Sequence, residues 1–165
     1  MQTIKIFAIL MAASTEIFAE SGPSRRLIVN LAARKIVLME DGKIVKMYPV
    51  AVGKHSTPSP SGSFHIASRV ANPMYTHDGK VVKPGPHNPV GTRWMGLGFK
   101  GYGIHGTNQP ESIGHAASHG CIRMRNRDVE ELFELVSVGD EVELISEEPV
   151  QVAAIAIAAV AGGMP

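Results

Sequence analysis

The segment best suited to chemistry is the run Ser-His-Gly-Cys-Ile-Arg at 118–123, which contains the chain's one cysteine, Cys121. A thiol is a weak nucleophile until it loses its proton, and a nearby imidazole can take that proton to form a thiolate–imidazolium pair. His119 lies two residues before Cys121, on the same face of an extended segment but further away than a hydrogen bond prefers. His105 lies on a separate segment that the fold could bring opposite Cys121, as in most sites of this kind.

The residues around this cysteine favour acyl chemistry over an inert thiol. Gly120 lets the backbone approach a substrate closely, and the N–H groups of Gly120 and Cys121 could stabilise a developing oxyanion. The guanidinium of Arg123 suits a carboxylate or an amide carbonyl of the substrate. Each residue also has a structural alternative: turn residues at Gly106 and Gly120, a surface ion pair at Arg123, and a hydrogen-bonded structural histidine at His119.

A zinc site is an alternative use of the same side chains. Ligands could come from His105, His115, His119 and Cys121. The sequence has no C-x-x-C pair and no paired histidines with a glutamate at the spacing of common zinc sites. The sequence therefore gives only weak support for a zinc site. If zinc were bound, a chelator would remove it and abolish the activity.

The elements that must position these residues are mostly strands. Apolar runs flank Asp41-Gly42, a dipeptide that tolerates positive φ and is a strong hairpin signal. A second Asp-Gly at 78–79 predicts another hairpin. The predicted strands cover 26–31, 35–40, 43–52, 63–67, 93–97, 102–105 and 141–145.

One helix is predicted at 127–137. Asn126 or Asp128 could cap its start, Asp128 and Glu131 have capping-box spacing, and Gly139 ends it. The apolar residues that recur at helical spacing are Val129, Leu132, Phe133 and Val136. The fold class is therefore mainly β with one notable helix.

The two ends of the chain differ from this strand-rich middle. Residues 1–19 have a short basic start and a brief apolar run, which is typical of a secretory signal peptide and short of the ~20 residues of a membrane span. The tail at 149–165 is apolar and has no assigned role. The formal net charge is +1, and without a run of Lys and Arg no nucleic-acid partner is expected. Oligomeric state is not predicted.

The His-Gly pair at 105–106, Gly114, and the Ser-His-Gly-Cys-x-Arg block at 118–123 together resemble the signature of the L,D-transpeptidase catalytic domain, the YkuD-like family. The resemblance covers about 25–145 and implies a sandwich-like, mainly β catalytic domain. It also implies Cys121 as the nucleophile and no metal or organic cofactor.

The same resemblance implies roles for the neighbouring residues. His105 would be the general base, and Arg123 would hold the donor stem peptide. Trp94 and Tyr102 are candidates to line the peptide groove, with core packing as the alternative for Trp94. The site would be shaped by Ser118, His119, Gly120 and Gly106.

The implied substrate is a peptidoglycan stem tetrapeptide ending in D-Ala. Cys121 would attack the carbonyl of the third residue, a diamino acid, expel D-Ala, and pass the thioester to an amine in the periplasm or cell envelope. The acceptor could be another stem peptide or a lysine of a wall-attached protein. Two alternatives use the same residues: an L,D-carboxypeptidase that gives the thioester to water, and a non-catalytic wall-binding module, against which the intact Cys121 and His105 argue.

Overall fold

The computed structural model describes residues 24–99 and 101–146. The predicted signal segment at 1–19 and the apolar tail at 149–165 lie outside the described residues. The elements in chain order are β1 (Arg25–Asn30), β2 (Lys35–Glu40), β3 (Lys43–Pro49), β4 (Val52–Gly53), β5 (Gly62–His65), β6 (Ser68–Ala71), β7 (Tyr75–His77), β8 (Lys80–Val82), β9 (Arg93–Gly96), β10 (Gly103–His105), a 3₁₀ turn (Pro110–Ser112), β11 (Ala116–Ser118), β12 (Ile122–Arg123), α1 (Asn126–Leu135) and β13 (Glu141–Ile145).

The larger sheet has five strands in the order β3-β2-β1-β13-β5. Its first three strands form an antiparallel meander. Asp41 and Gly42 join β2 to β3 with φ of 49° and 75°, the positive values that such a hairpin turn requires. The last strand, β13, returns to pair in parallel with β1, so the ends of the domain meet in the middle of this sheet.

The smaller sheet has four strands in the order β12-β10-β9-β6. The outer strand β12 pairs in parallel with β10, and in this pair His105 lies opposite Arg123. β9 runs antiparallel on the other side of β10 and places Trp94 opposite His105. Three residues from three separate segments therefore share one row across the sheet.

The larger of two apolar clusters lies between the two sheets and α1. Full burial of one such side chain stabilises the fold by about 1.5–3 kcal/mol. Fully or almost fully buried members include Leu27, Val29, Ile36 and Leu144 of the larger sheet, Met95, Ile104 and Ile122 of the smaller sheet, and Val129 and Leu132 of α1. The predicted mainly β, sandwich-like fold with one helix is confirmed.

The return strand predicted at 43–52 is too long. Pro49 lacks an N–H and ends the ladder between β2 and β3. The backbone of Ala51 instead exchanges two hydrogen bonds of 2.9 Å with Arg123, and Val52 begins β4, which pairs with β11. After this break the chain leaves the larger sheet and pairs with the segments on either side of the cysteine.

The helix begins and ends slightly earlier than the predicted 127–137, and the predicted side-chain caps are wrong. No side chain caps α1, and Arg125 occupies the residue before it. Asp128 is buried beside Arg125 and Arg127. The side chain of Asn126 accepts hydrogen bonds from the backbone of two loops. Both candidate caps are therefore committed elsewhere.

Two hairpins were predicted from Asp-Gly pairs, and both are confirmed. The second joins β7 to β8 through Asp78 and Gly79, and these strands form a two-stranded sheet of their own. Among the described residues, no helix is long and apolar enough to cross a membrane.

Candidate active site

Side chains along β10 and β12 alternate between the face of the sheet that packs on the core and the face that carries the candidate catalytic residues. Ile104 and Ile122 lie opposite each other and are both buried in the core. Their neighbours His105, Arg123 and Cys121 therefore project from the other face of the sheet. On that face Cys121 is the diagonal neighbour of His105, and all three side chains line a cleft of about 740 Å³.

The thiol of Cys121 is half-buried and lines this cleft. Its Sγ donates to the backbone carbonyl of Gly101 at 3.2 Å. Burial raises the pKa of the Cys121 thiol, while a backbone hydrogen bond with Gly103 and the charge of Arg123 act in the opposite direction without reversing the shift. The resting cysteine is therefore mostly the neutral thiol.

His105 is buried, with only 4% of its surface exposed. Its Nδ1 lies 2.6 Å from the carbonyl oxygen of Gly106. A carbonyl can only accept, so Nδ1 carries the proton and Nε2 keeps its lone pair. Burial, and to a smaller extent the charge of Arg123, lowers the pKa of His105 from 6.5 to about 4, although the hydrogen bond to Gly106 opposes this.

These two shifts differ from the expected thiolate–imidazolium pair. Desolvation disfavours the charged form of each group, so Cys121 and His105 are both neutral at rest. A neutral imidazole with a free Nε2 lone pair is the form that can accept a proton. The proton must then move as the sulfur attacks, because no preformed thiolate is stored.

Trp94 packs on His105. The ring centroids are 5.5 Å apart and the planes are inclined by 19°. The indole also covers Gly103, where a Cβ would lie 2.7 Å from Cζ2 of Trp94. Trp94 lines the same cleft, so it both stacks on the imidazole and forms part of the cleft surface.

The turn before Cys121 is held by Ser118. Its buried Oγ donates to the carbonyl of Cys121 at 2.6 Å and accepts from the N–H of Gly120 at 3.0 Å. The N–H of Gly120, expected to face an oxyanion, is thus used inside the turn. Gly120 has φ of 114°, and a Cβ there would lie 2.6 Å from Cε1 of Tyr102. The cleft lining within the described residues does not include Tyr102, whose ring lies against Gly120.

Two further residues of the cleft are Arg123, which is half-buried, and His119, which is exposed. Arg123 donates to Oε1 of Gln109 at 3.1 Å, and the N–H of Gln109 donates to Oγ1 of Thr107 at 3.0 Å. This connects Arg123 to the segment that follows His105. The exposed His119 lies 3.3 Å from Nζ of Lys54 through Nε2, and both His119 and Arg123 line the cleft.

One wall of the cleft is the β7–β8 hairpin, which contributes Tyr75, Thr76 and His77. The hairpin is closed at its base by Asn88, which is fully buried. Nδ2 of Asn88 donates to the carbonyl of Pro73 at 2.7 Å and lies 3.4 Å from that of Lys83, and its Oδ1 accepts from the N–H of Val90 at 3.0 Å. One amide thus joins both ends of the hairpin to the next loop.

Asn126 joins two loops next to the site, a role that the sequence interpretation, which offered it as a helix cap, missed. Its Oδ1 accepts from the N–H of Thr107 at 3.1 Å and from that of Thr92 at 3.3 Å. A Cβ on Gly91 or Gly106 would collide with this oxygen. In the sequence, the available signal was the two glycines, Gly91 and Gly106, that leave space for this oxygen.

Within 24–99 and 101–146, no group of three or more His, Cys, Asp or Glu residues is arranged to hold a metal ion. Of the four candidate zinc ligands, His115 and His119 are exposed. His105 instead uses Nδ1 on Gly106.

Comparison with known proteins decides the family. Residues 24–145 match the sequence model described as the L,D-transpeptidase catalytic domain, YkuD. The chain belongs to this family. Its cysteine and histidine segments therefore lie in an L,D-transpeptidase catalytic domain.

Curated relatives of this L,D-transpeptidase domain include a putative L,D-transpeptidase YkuD of Bacillus licheniformis, 44% identical over 119 residues, covering 72% of this chain and 64% of the relative. The putative L,D-transpeptidase YqjB of Bacillus subtilis is 41% identical over 128 residues, covering 74% and 71%. The probable L,D-transpeptidase YbiS of Escherichia coli is 33% identical, covering 76% and 45%. The chain thus spans less than two thirds of several relatives.

Solved structures agree with this assignment. The catalytic domain of the E. faecium L,D-transpeptidase superposes with a TM-score of 0.61 at 29% identity, covering 73% of this chain and 96% of that domain. An L,D-transpeptidase from Mycobacterium smegmatis superposes with a TM-score of 0.65 at 20% identity, covering 76% and 60%. The second match supports the shared fold alone.

Proposed function

We propose that this protein is an L,D-transpeptidase that cross-links peptidoglycan through a thioester on Cys121. The observation that carries the proposal is the pairing of a half-buried thiol with a neutral histidine, diagonal neighbours on the cleft face of the smaller sheet. The donor is a stem tetrapeptide ending in D-Ala, and the acceptor is an amine. Membership of the L,D-transpeptidase family supports this substrate class.

In the first half-reaction, Sγ of Cys121 attacks the carbonyl carbon of the third stem residue while Nε2 of His105 takes the thiol proton. The tetrahedral intermediate carries an oxyanion. Since the N–H of Gly120 is bonded to Ser118, the N–H of Cys121 is the donor we assign to this oxygen. The imidazolium then gives its proton to the nitrogen of D-Ala, the carbon–nitrogen bond breaks, and D-Ala leaves.

In the second half-reaction, an acceptor amine attacks the thioester. His105 removes a proton from the attacking nitrogen and returns it to the sulfur as the carbon–sulfur bond breaks, which restores the neutral pair. A thioester keeps the acyl group activated, so no external energy source is required. Exclusion of water from the cleft favours attack on the thioester by the amine over attack by water.

The other site residues have supporting roles in this proposal. Arg123 is the fixed cation of the cleft and binds a carboxylate of the donor stem. Trp94 forms the floor under the peptide. Ser118, His119 and Gly120 hold the turn that presents Cys121, with Gly106 fixing His105. The substrate places the protein in the cell envelope, and the segment at 1–19 is the proposed export signal.

The decisive experiment is mass spectrometry of the intact protein after incubation with a tetrapeptide muropeptide, with and without an acceptor stem. We expect an adduct on Cys121, release of D-Ala, and a cross-linked dimer when acceptor is present. Cys121→Ser should lose all three while keeping the wild-type circular dichroism spectrum, and His115→Gln, a change at an exposed histidine, should lose none. Release of D-Ala without dimer would assign a carboxypeptidase, and the absence of both adduct and D-Ala would refute the proposal.

A further inference from the structure

The peptide unit between Gly106 and Thr107 is hydrogen-bonded at both ends. Its carbonyl oxygen accepts from Nδ1 of His105 at 2.6 Å. Its N–H donates to Oδ1 of Asn126 at 3.1 Å. The imidazole, the peptide and the carboxamide are therefore connected in series. Hydrogen bonds in such a series polarise each other in the same direction.

The surroundings of Asn126 are built around this oxygen. Its second partner, the N–H of Thr92 at 3.3 Å, is also a donor, so the contacting atom is the amide oxygen and not the nitrogen. Gly91 and Gly106 leave the space that Oδ1 occupies, because a Cβ on either would collide with it. Asn126 begins α1 but does not cap it, so helix capping does not account for its position.

We infer that Asn126 is a positioning residue for the general base. By accepting from the N–H of Thr107, it fixes the orientation of the Gly106 carbonyl and increases its strength as an acceptor. The carbonyl then holds the proton of His105 on Nδ1 and directs the Nε2 lone pair into the cleft. In serine proteases a buried carboxylate performs this orientation.

The uncharged series of Asn126, the Gly106–Thr107 peptide and His105, called the relay below, has a different effect on the imidazole from that of a carboxylate. A carboxylate beside the imidazole would stabilise the imidazolium and raise its pKa. A peptide polarised by a neutral amide fixes the tautomer while leaving the buried imidazole neutral. This inference rests on the proposed role of His105, but the state of its ring can be measured without any substrate.

The test is nitrogen and proton NMR of the His105 ring in the full-length wild type, Asn126→Ala and Asn126→Asp. The control is Asn88→Ala, which removes another buried amide that contacts the hairpin base instead of the His105 peptide. In the wild type we expect a protonated Nδ1 with a downfield proton, and an unprotonated Nε2. Asn126→Ala should move this proton upfield and speed its exchange with water roughly 2- to 10-fold, as expected for loss of one hydrogen bond.

Asn126→Asp keeps the shape and adds a negative charge, so it should raise the pKa of His105 by about one unit. Asn88→Ala should change neither the proton position nor the pKa. If both Asn126 variants leave the Nδ1 signals and the pKa as in the wild type, the inference is overturned. Should Asn126→Ala fail to fold, the pKa in Asn126→Asp decides alone, with a rise supporting the relay and no change refuting it.

Kinetics provide a second readout. In Asn126→Ala, the rate of Cys121 acylation should fall roughly 2- to 10-fold, with little change in KM, because the base is misdirected while the cleft is intact. A wild type that gives the expected NMR signals but no acylation would refute the proposed function without affecting the relay. The inference about Asn126 requires that the NMR signals of the His105 ring change in the Asn126 variants, whatever the kinetics show.

Discussion

Burial of His105 as a neutral imidazole makes the stability of the fold depend on pH in a predictable way. The unfolded chain protonates this residue near its ordinary pKa of 6.5, whereas the folded protein does so at about 4. Between these values the unfolded state binds more protons, so acidification favours unfolding. The free energy of unfolding is therefore unaffected by His105 protonation above pH 6.5, and it decreases as the pH falls from 6.5 toward 4.

The magnitude follows from the same two values. One pKa unit corresponds to about 1.4 kcal/mol, so the fall from 6.5 to about 4 costs about 3 kcal/mol once pH is below both. Between about pH 7 and about pH 5 the expected loss in the free energy of unfolding is about 2 kcal/mol. The lowered carboxylate pKa of Glu131 acts at more acidic pH and adds little in this range.

The assay is urea denaturation at these two pH values for the wild type, His105→Gln and His115→Gln. His105→Gln removes the titrating group at position 105, so the stability of this variant should change with pH by about 2 kcal/mol less than that of the wild type. His115 is exposed, and its replacement should preserve the wild-type pH dependence. The reasoning would be refuted if His105→Gln and the wild type lost equal stability between the two pH values.

Two further changes test the electrostatics and the turn. Arg123→Gln removes a charge that lowers the pKa of Cys121, so iodoacetamide should alkylate Cys121 roughly 2- to 5-fold more slowly near neutral pH; an unchanged rate would contradict this role. Gly120→Ala combines positive φ with a collision against Tyr102 and should lower the free energy of unfolding by roughly 1–3 kcal/mol. Gly139→Ala, at φ of 101° with open space, is the matched control in urea denaturation, and an equal loss in both variants would exclude the collision.

The elements with local signals were predictable from the sequence. The meander of β1 to β3 follows from apolar runs on either side of Asp41-Gly42, and α1 follows from its helical spacing. The parallel pairing of β1 with β13 had no local signal, because it joins residues at opposite ends of the domain. Its register emerges only when both sheets bury their apolar faces against one core.

The site was predictable in its residue types but less so in its protonation states. His105 and Cys121 could be named from the sequence because their chemistry has few alternatives. Their neutral resting states depend on desolvation, which is a property of the packed fold and not of residue spacing. Asn126 was missed for the same reason, since its partners are backbone N–H groups of two distant loops.

The contact between Trp94 and His105 also supplies a spectroscopic probe. Trp94 is the chain's single tryptophan, so all indole fluorescence originates from a ring that stacks on the proposed base and lines the cleft. A protonated imidazole quenches a stacked indole more strongly than a neutral one, and a bound peptide changes the polarity around it. Emission intensity can therefore follow the charge of His105 and the arrival of a donor in real time, without a label and before any bond is broken.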